Sequence, residues 1–202
     1  MVISHKHRYV FVQVMKTAST AIARELCLHY DGEPIFDKHT TIADFYREAD
    51  PSWKDYSTFA GVRHPLDVAV SRYLLRKQGR QNGFPANLDQ HRFISRNNAS
   101  FSAYLKEYTV RRAAEGFDIG MVPMDWKSKR FQSIDYIYRY ENLASEFPAI
   151  LRKLGITPVR SLPMFNVTEG KQKDLSVYLD DEAREIAESV FGEYMKRWGY
   201  TA

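Results

Sequence analysis

Tyr9 to Val14 (YVFVQV) is short, aromatic and β-branched, and just downstream Ile22, Leu26 and Tyr30 recur at helical spacing. A buried strand, a tight turn and a helix start therefore meet at Lys16, within Gln13-Val-Met-Lys-Thr-Ala-Ser-Thr20. The first turn of such a helix points unpaired backbone N–H groups into the turn, and the helix dipole adds partial positive charge there. Lys16 supplies a full charge, while Thr17, Ser19 and Thr20 supply hydroxyl donors, although a plain helix N-cap explains hydroxyls equally well. The segment reads as a phosphate-gripping loop. It is not the nucleotide-triphosphate P-loop, whose Gly-x-x-x-x-Gly-Lys-[Ser/Thr] wraps a polyphosphate in glycine backbone, because neither glycine is present.

A second strand-like run, Ser57-Thr-Phe-Ala-Gly-Val62, is followed at once by Arg63-His-Pro-Leu-Asp-Val-Ala-Val-Ser-Arg-Tyr73. Pro65 suits the first turn of a helix and Asp67 its positive end. Arg63 thus stands where a strand stops, with Ser71 about two helical turns beyond it. A guanidinium fork matches phosphate oxygens, and a serine adds one neutral hydrogen bond. Taken singly, the two read as a surface arginine and a helical serine.

Together these segments carry a resemblance. Lys16-Thr-Ala-Ser-Thr20 resembles the loop by which sulfotransferases bind the phosphosulfate end of 3′-phosphoadenosine 5′-phosphosulfate (PAPS), commonly Lys-Thr-[Gly/Ala]-[Ser/Thr]-[Ser/Thr] after the first strand. Arg63, Pro65, Ser71 and Tyr73 resemble the same family's signature for the 3′-phosphate. Ile134-Asp-Tyr-Ile-Tyr-Arg-Tyr-Glu-Asn-Leu143 is similar to the strand and Arg-[Phe/Tyr]-Glu-x-Leu element of Golgi-type and bacterial members. Leu162 to Thr168 is similar to their late Asn-x-[Ser/Thr] loop, and Tyr194 to Tyr200 to their aromatic end. The likeness spans roughly residues 8 to 200 and is weakest in the middle third.

The resemblance implies a three-layer, P-loop-like α/β fold, and the order of elements agrees. Strands are expected at 9–14, 57–62 and 134–139, and helices at about 19–30, 40–48, 65–77 and 100–114. A further helix ends near Gly155, its Pro148 tolerable if Ser145 is the N-cap, and Asp180 or Asp181 caps a long last helix. Alternating strands and helices imply a mainly parallel sheet flanked by helices, with ligands at the carboxyl ends of the strands, where Lys16 and Arg63 both fall. At 202 residues, with neither a repeat nor a convincing linker, a single domain is expected over 1–202. The polar stretch from Gly79 to Asn98 is long for a structureless loop in a compact domain, which marks 79–130 as an acceptor-binding or lid region.

The hydrophobic content of 44% and charged content of 27% are those of a soluble globular chain, and no run approaches a membrane span of about 20 apolar residues. Met1 to Arg8 is basic without an apolar signal region. The single cysteine, Cys27, permits no internal disulfide and is expected in the core. Eukaryotic Golgi relatives carry an anchor and often disulfides, so a bacterial-type, cytoplasmic enzyme is expected. The formal net charge is +4, yet Arg72 to Arg112 holds nine Lys/Arg against Asp89 and Glu107, a local +7 that leaves −3 elsewhere. Such a segment attracts an anionic partner, whether PAPS or an acidic glycan, or is a solvated surface. No nucleic-acid reader motif accompanies it.

Sulfuryl transfer, like phosphoryl transfer, asks the protein to align reactants, stabilise charge on the departing phosphate and remove the acceptor proton. The phosphosulfate carries less charge than a triphosphate, so no metal is expected. The resemblance assigns Lys16 to the leaving phosphate and gives Lys16, Thr17, Ala18, Ser19, Thr20, Arg63 and Ser71 to PAPS or its product 3′,5′-ADP (PAP). Several relatives place a basic histidine between the first helix and the Arg-x-Pro strand; His39, in Asp37-Lys-His-Thr-Thr-Ile42, takes that role here, with Glu33 as the fallback. His39 as a helix cap or an exposed side chain is the alternative. His64 reads as structural, and His5, His7, His29 and His91 lack a pattern. Glu141 could order the pocket or pair locally, Lys171 and Lys173 could close over the 3′-phosphate, and Trp53 and Trp126 read as packing residues, with stacking on adenine or a sugar as the alternative. The expected activity is sulfuryl transfer to a hydroxyl of a carbohydrate or other small metabolite. The alternatives are a non-catalytic PAPS- or PAP-binding module, and a nucleotide kinase, which lacks its glycines and a clear Mg²⁺-binding aspartate.

Overall fold

The computed structural model describes residues 1–81, 84–85, 88–110, 120–163 and 168–201, without the side chains of 80–89. In chain order the elements are β1 (Val2–Ser4), β2 (Tyr9–Val12), α1 (Ser19–His29), β3 (Glu33–Pro34), α2 (Ile42–Glu48), β4 (Ser57–Val62), α3 (Pro65–Lys77), β5 (Arg80–Gln81), β6 (Phe84–Pro85), α4 (Leu88–Asn97), α5 (Phe101–Leu105), α6 (Lys129–Gln132), β7 (Tyr136–Arg139), α7 (Leu143–Lys153) and α8 (Asp181–Trp198). Short 3₁₀ turns lie at Pro51–Trp53, Tyr140–Asn142 and Leu175–Tyr178. The chain divides into two compact units, one of Met1–Arg63 with Val122–Phe165 and one of His64–Met121 with Asn166–Ala202.

The first unit is an α/β structure on a five-stranded sheet of order β3-β1-β2-β4-β7. Its centre is parallel: β2 pairs with β4 and β4 with β7. β1 runs antiparallel to both β2 and β3, so the sheet is mixed, with a parallel core. β2 and β4 are buried on both faces, as parallel strands are. Tyr9, Phe11 and Phe59 join a cluster with Ile22 and Leu26 of α1 and Phe147, Ile150 and Leu151 of α7, while Val10, Val12, Ala60 and Val62 are buried too. Each fully buried side chain of this size contributes about 1.5–3 kcal/mol relative to exposure. At the foot of β4, the Asp135 carboxylate accepts the Thr58 amide at 2.7 Å and the Thr58 hydroxyl at 2.8 Å, fixing the β4–β7 register.

Gly61 is required by a close approach. A Cβ there would lie 2.3–2.5 Å from the ring of Tyr138, its partner across the β4–β7 ladder. Without a side chain at 61, the Tyr138 ring lies across β4 and its hydroxyl donates to the Thr17 carbonyl at 2.9 Å.

The second unit is built on α3, α4, α5 and α8. The His64 Nδ1 caps α3 by accepting the Leu66 amide at 3.2 Å, with Pro65 in the first turn. Asp180 caps α8 through the Ala183 amide at 2.8 Å and also accepts the Ser102 hydroxyl, and Gly199 ends α8 at φ 64°. Tyr73, Phe101 and Tyr104 pack as an aromatic cluster beneath α3 and α5.

Several sequence expectations need correction. The first strand stops at Val12, where the Val14 amide turns back onto the Val12 carbonyl at 3.0 Å. Met1 to Arg8 also contains a strand with no sequence signal of its own, the wholly buried Val2–Ser4. The Gly79 to Asn98 stretch is not structureless: it contains α4, which buries Ile94. The expected 100–114 helix is regular only over Phe101–Leu105 and continues as a π turn over Lys106–Val110; 111–114 lie outside the described residues. α7 starts at Leu143 and its N-cap is Asn142 rather than Ser145, so Pro148 lies inside the helix. Cys27 is exposed. It follows Leu26 by one residue, and a step of about 100° carries it off the buried stripe of Ile22 and Leu26.

Candidate active site

The three parallel strands β2, β4 and β7 end side by side, and the residues just beyond their carboxyl ends form the candidate site. Beyond β2 the chain turns sharply: Lys16 has φ 64° and Ala18 φ 62°, both left-handed. Alanine is the smallest residue that carries a Cβ into that region, so the Ala18 conformation costs on the order of 1–2 kcal/mol. Ala18 is also the N-cap of α1, yet makes no side-chain cap bond, and no acidic residue stands in the first turn. The Ser19 and Thr20 amides open the helix there. The Thr17 hydroxyl is committed inward, donating to the Val14 carbonyl at 2.9 Å, which leaves the Thr17 amide as that residue's group for a ligand. Ser19 is buried and Thr20 exposed.

The connector between β3 and α2 comes to this loop. His39 Nδ1 lies 2.8 Å from the Gln13 carbonyl. A carbonyl only accepts, so Nδ1 carries the proton of the neutral ring and Nε2 its lone pair. The ring is exposed. The neighbouring Lys38 ammonium donates to the Thr20 hydroxyl at 2.8 Å, bringing a cation to the first turn of α1. Glu33 is placed differently. It pairs in register with Ile3, which pairs with Val10, so it sits level with the middle of β2 and not beyond its end. Its carboxylate contacts His5 Nε2 at 3.2 Å.

Arg63 follows β4 and Tyr140 follows β7. Val62 and Arg139 are the last paired residues of that ladder, so Arg63 and Tyr140 are the next to face each other. The Arg63 guanidinium carbon stands 3.7 Å from the centroid of the Tyr140 ring, and its Nη1 donates to the Lys16 carbonyl at 2.7 Å. The side chain is only 8% exposed. Behind it, the Tyr138 hydroxyl holds the Thr17 carbonyl, and complete burial pushes the Tyr138 phenol well above its usual range, keeping it a neutral donor. Ser71 belongs to the second unit, buried on α3.

The remaining expected residues are placed as follows. His64 caps α3, and its Nε2 donates to the Thr201 carbonyl at 2.8 Å, a structural arrangement. Lys171 pairs with Asp67. Lys173 and Glu141 are exposed, and Trp53 and Trp126 are half-buried, Trp53 against His5. The Asn166 loop, Arg111 and Arg112 lie outside the described residues. Among the described residues no cluster of three or more His, Cys, Asp or Glu is placed to hold a metal ion, and no helix is long and apolar enough to cross a membrane.

Sequence reasoning passed over Tyr138, Tyr140 and Lys38. Tyr140 was findable, since it follows a predicted strand as Arg63 does; Lys38 had no periodic signal. No curated protein matches the chain. The model of the sulfotransferase family matches residues 1–200, and the parallel core of the sheet is consistent with that family's P-loop-like fold. With nearly its whole length matched, the chain belongs to the sulfotransferase family, enzymes that transfer a sulfuryl group from PAPS.

Proposed function

We propose that the enzyme transfers the sulfuryl group of PAPS to a hydroxyl of a carbohydrate or another small metabolite, with His39 as general base and Lys16 as the cation facing the leaving phosphate. The carrying observation is the 2.8 Å hydrogen bond between His39 Nδ1 and the Gln13 carbonyl, which ties the base to the donor loop and sets its tautomer. Nε2 then accepts the acceptor's proton as the acceptor oxygen bonds to sulfur. The sulfur–oxygen bond to the 5′-phosphate breaks, and its electron pair leaves with PAP.

The start of α1 fits the 5′ end of the donor: bare amides of Thr17, Ser19 and Thr20, the small left-handed Ala18, no acidic residue, and Lys16. Arg63 is the ligand proposed for the 3′-phosphate, and Ser71 is added on the resemblance alone. The reading uses no metal, because the phosphosulfate's modest charge is met by lysine and amide donors. Acceptor binding is proposed for residues 79–130, where Arg92 and Arg96 of α4 are exposed and suit an anionic sugar.

The test is calorimetry of PAP without magnesium, comparing wild type with Arg63→Ala, followed by turnover of labelled PAPS over an acceptor panel. Arg63→Ala weakens PAP strongly, whereas His39→Ala lowers turnover by roughly 10²- to 10⁴-fold and leaves PAP affinity nearly intact. A folded wild type that does not bind PAP would sink the reading.

A further inference from the structure

We propose that Tyr140 is a positioning residue for donor recognition: its ring holds the Arg63 guanidinium against the Lys16 carbonyl, so that one side chain joins the 3′-phosphate contact to the loop around the reacting end. The proposal rests on the function proposed above, which gives Arg63 the 3′-phosphate. It adds a residue to which no role was assigned and a coupling between the two ends of the donor.

The geometry has three parts, all within the first unit. The β4–β7 ladder ends at Val62 and Arg139, which sets Arg63 and Tyr140 opposite each other as the strands run out. The guanidinium then lies over the ring at 3.7 Å, a contact distance, in a position that is 8% exposed. A cation over a ring face is attracted by the ring quadrupole, and the stacked guanidinium keeps its N–H groups at its edge, directed away from the ring. One of those groups, Nη1–H, donates to the Lys16 carbonyl at 2.7 Å. Lys16 is in the left-handed region at φ 64°, a conformation that other contacts must maintain. Arg63 is one such contact.

An unrestrained arginine side chain has considerable rotamer freedom to lose on binding a ligand. With the ring in place, that loss falls in folding rather than in donor binding. Without the ring, Arg63 is freed from both the phosphate position and the loop. The tyrosine hydroxyl has no part in the stack, so phenylalanine serves equally and an aliphatic residue does not.

The experiment measures PAP and 5′-AMP, which lacks the 3′-phosphate, by competition calorimetry against wild type, Tyr140→Leu and Tyr140→Phe, with folding checked by circular dichroism. Tyr140→Leu is expected to weaken PAP roughly 5- to 30-fold and 5′-AMP by a distinctly smaller factor, about two- to threefold, because 5′-AMP loses the loop support but has no 3′-phosphate to lose. Tyr140→Phe is expected to keep the wild-type ratio. Equal losses for both nucleotides, or no loss for either, overturn the proposal, as does a Tyr140→Phe variant that behaves like Tyr140→Leu. Should wild type itself fail to bind PAP, the underlying functional reading falls, a result distinct from a wild type that binds PAP and is indifferent to Tyr140.

Discussion

Replacing Tyr138 by phenylalanine removes one oxygen from the centre of the first unit and leaves the ring in place over Gly61. The hydroxyl is fully buried and donates to the Thr17 carbonyl at 2.9 Å, with the Thr17 hydroxyl 3.3 Å away. The variant loses that bond and strands a carbonyl inside the protein, which costs about 1–3 kcal/mol. Taking ~2 kcal/mol and about 2–4 °C per kcal/mol at this chain length, the thermal midpoint falls by roughly 4–8 °C. Thr17 stands between the left-handed Lys16 and Ala18, so the loosened loop also binds PAP more weakly. Gly61→Ala reaches the same bond from the other side. Its methyl would come within 2.3–2.5 Å of the ring and must push Tyr138 aside, adding about 1–3 kcal/mol of overpacking. Because Gly61→Ala already breaks the hydroxyl's bond, adding Tyr138→Phe costs little more. A double-mutant cycle by urea denaturation therefore yields coupling on the order of 1–2 kcal/mol. Additive effects, or a midpoint drop below about 1 °C for Tyr138→Phe, would refute the reasoning.

Two further predictions concern charge. Burial raises the Asp125 carboxyl above its ordinary 3.8, with Asp44 raising it further, and its Oδ2 has no hydrogen-bond partner. An acid raised on folding is neutral in both states at low pH and is penalised once the unfolded form ionises, so stability falls as pH rises through 3.8. Asp125→Asn should therefore match wild type below that pH and melt higher at pH 7; an equal or lower midpoint at neutral pH would remove the penalty. Lys38→Ala, scored by PAP calorimetry, should weaken PAP by about 1 kcal/mol, roughly fivefold, with less effect at high salt. An unchanged affinity would take Lys38 out of the donor site.

The parts of the fold legible in sequence were those where one local signal sufficed. Ser57–Val62 is a run of buried strand residues ended by Arg63, and Pro65 opens a helix, so β4 and α3 were read to the residue. β1 escaped because three apolar residues between a terminus and a basic turn give no period; only pairing with β2 and β3 makes Val2–Ser4 a strand. α4 escaped because, among its described side chains, only Ile94 is buried, leaving a polar stretch that resembles a loop. The site divides likewise. Lys16 and Arg63 stand just beyond predicted strands and His39 is named through the resemblance, whereas the Arg63–Tyr140 stack depends on the register of β4 against β7, a long-range fact. The Lys38–Thr20 contact depends on where a connector between β3 and α2 folds back.

The way this chain starts its helices bears on why the loop around Lys16 is built as it is. Side chains cap α2 (Thr41), α3 (His64), α5 (Ser100), α6 (Ser128) and α8 (Asp180). α7 lacks a cap bond but has Glu146 in its first turn, whose carboxylate accepts the Arg139 amide at 2.6 Å. α1 has neither device, and a missing cap costs about 1 kcal/mol. The same few residues hold two left-handed non-glycine conformations, at a further cost of order 1–2 kcal/mol each. A sequence that caps five of its described helices with side chains had serine, threonine or aspartate available for position 18. Each would have set an oxygen acceptor, or a carboxylate, where the proposed phosphate approaches the Ser19 and Thr20 amides. The loop is thus less stable than it could be at the place where the proposed ligand supplies the missing negative charge, and Tyr138 and Arg63, each bonded to one of its carbonyls, keep it in that form.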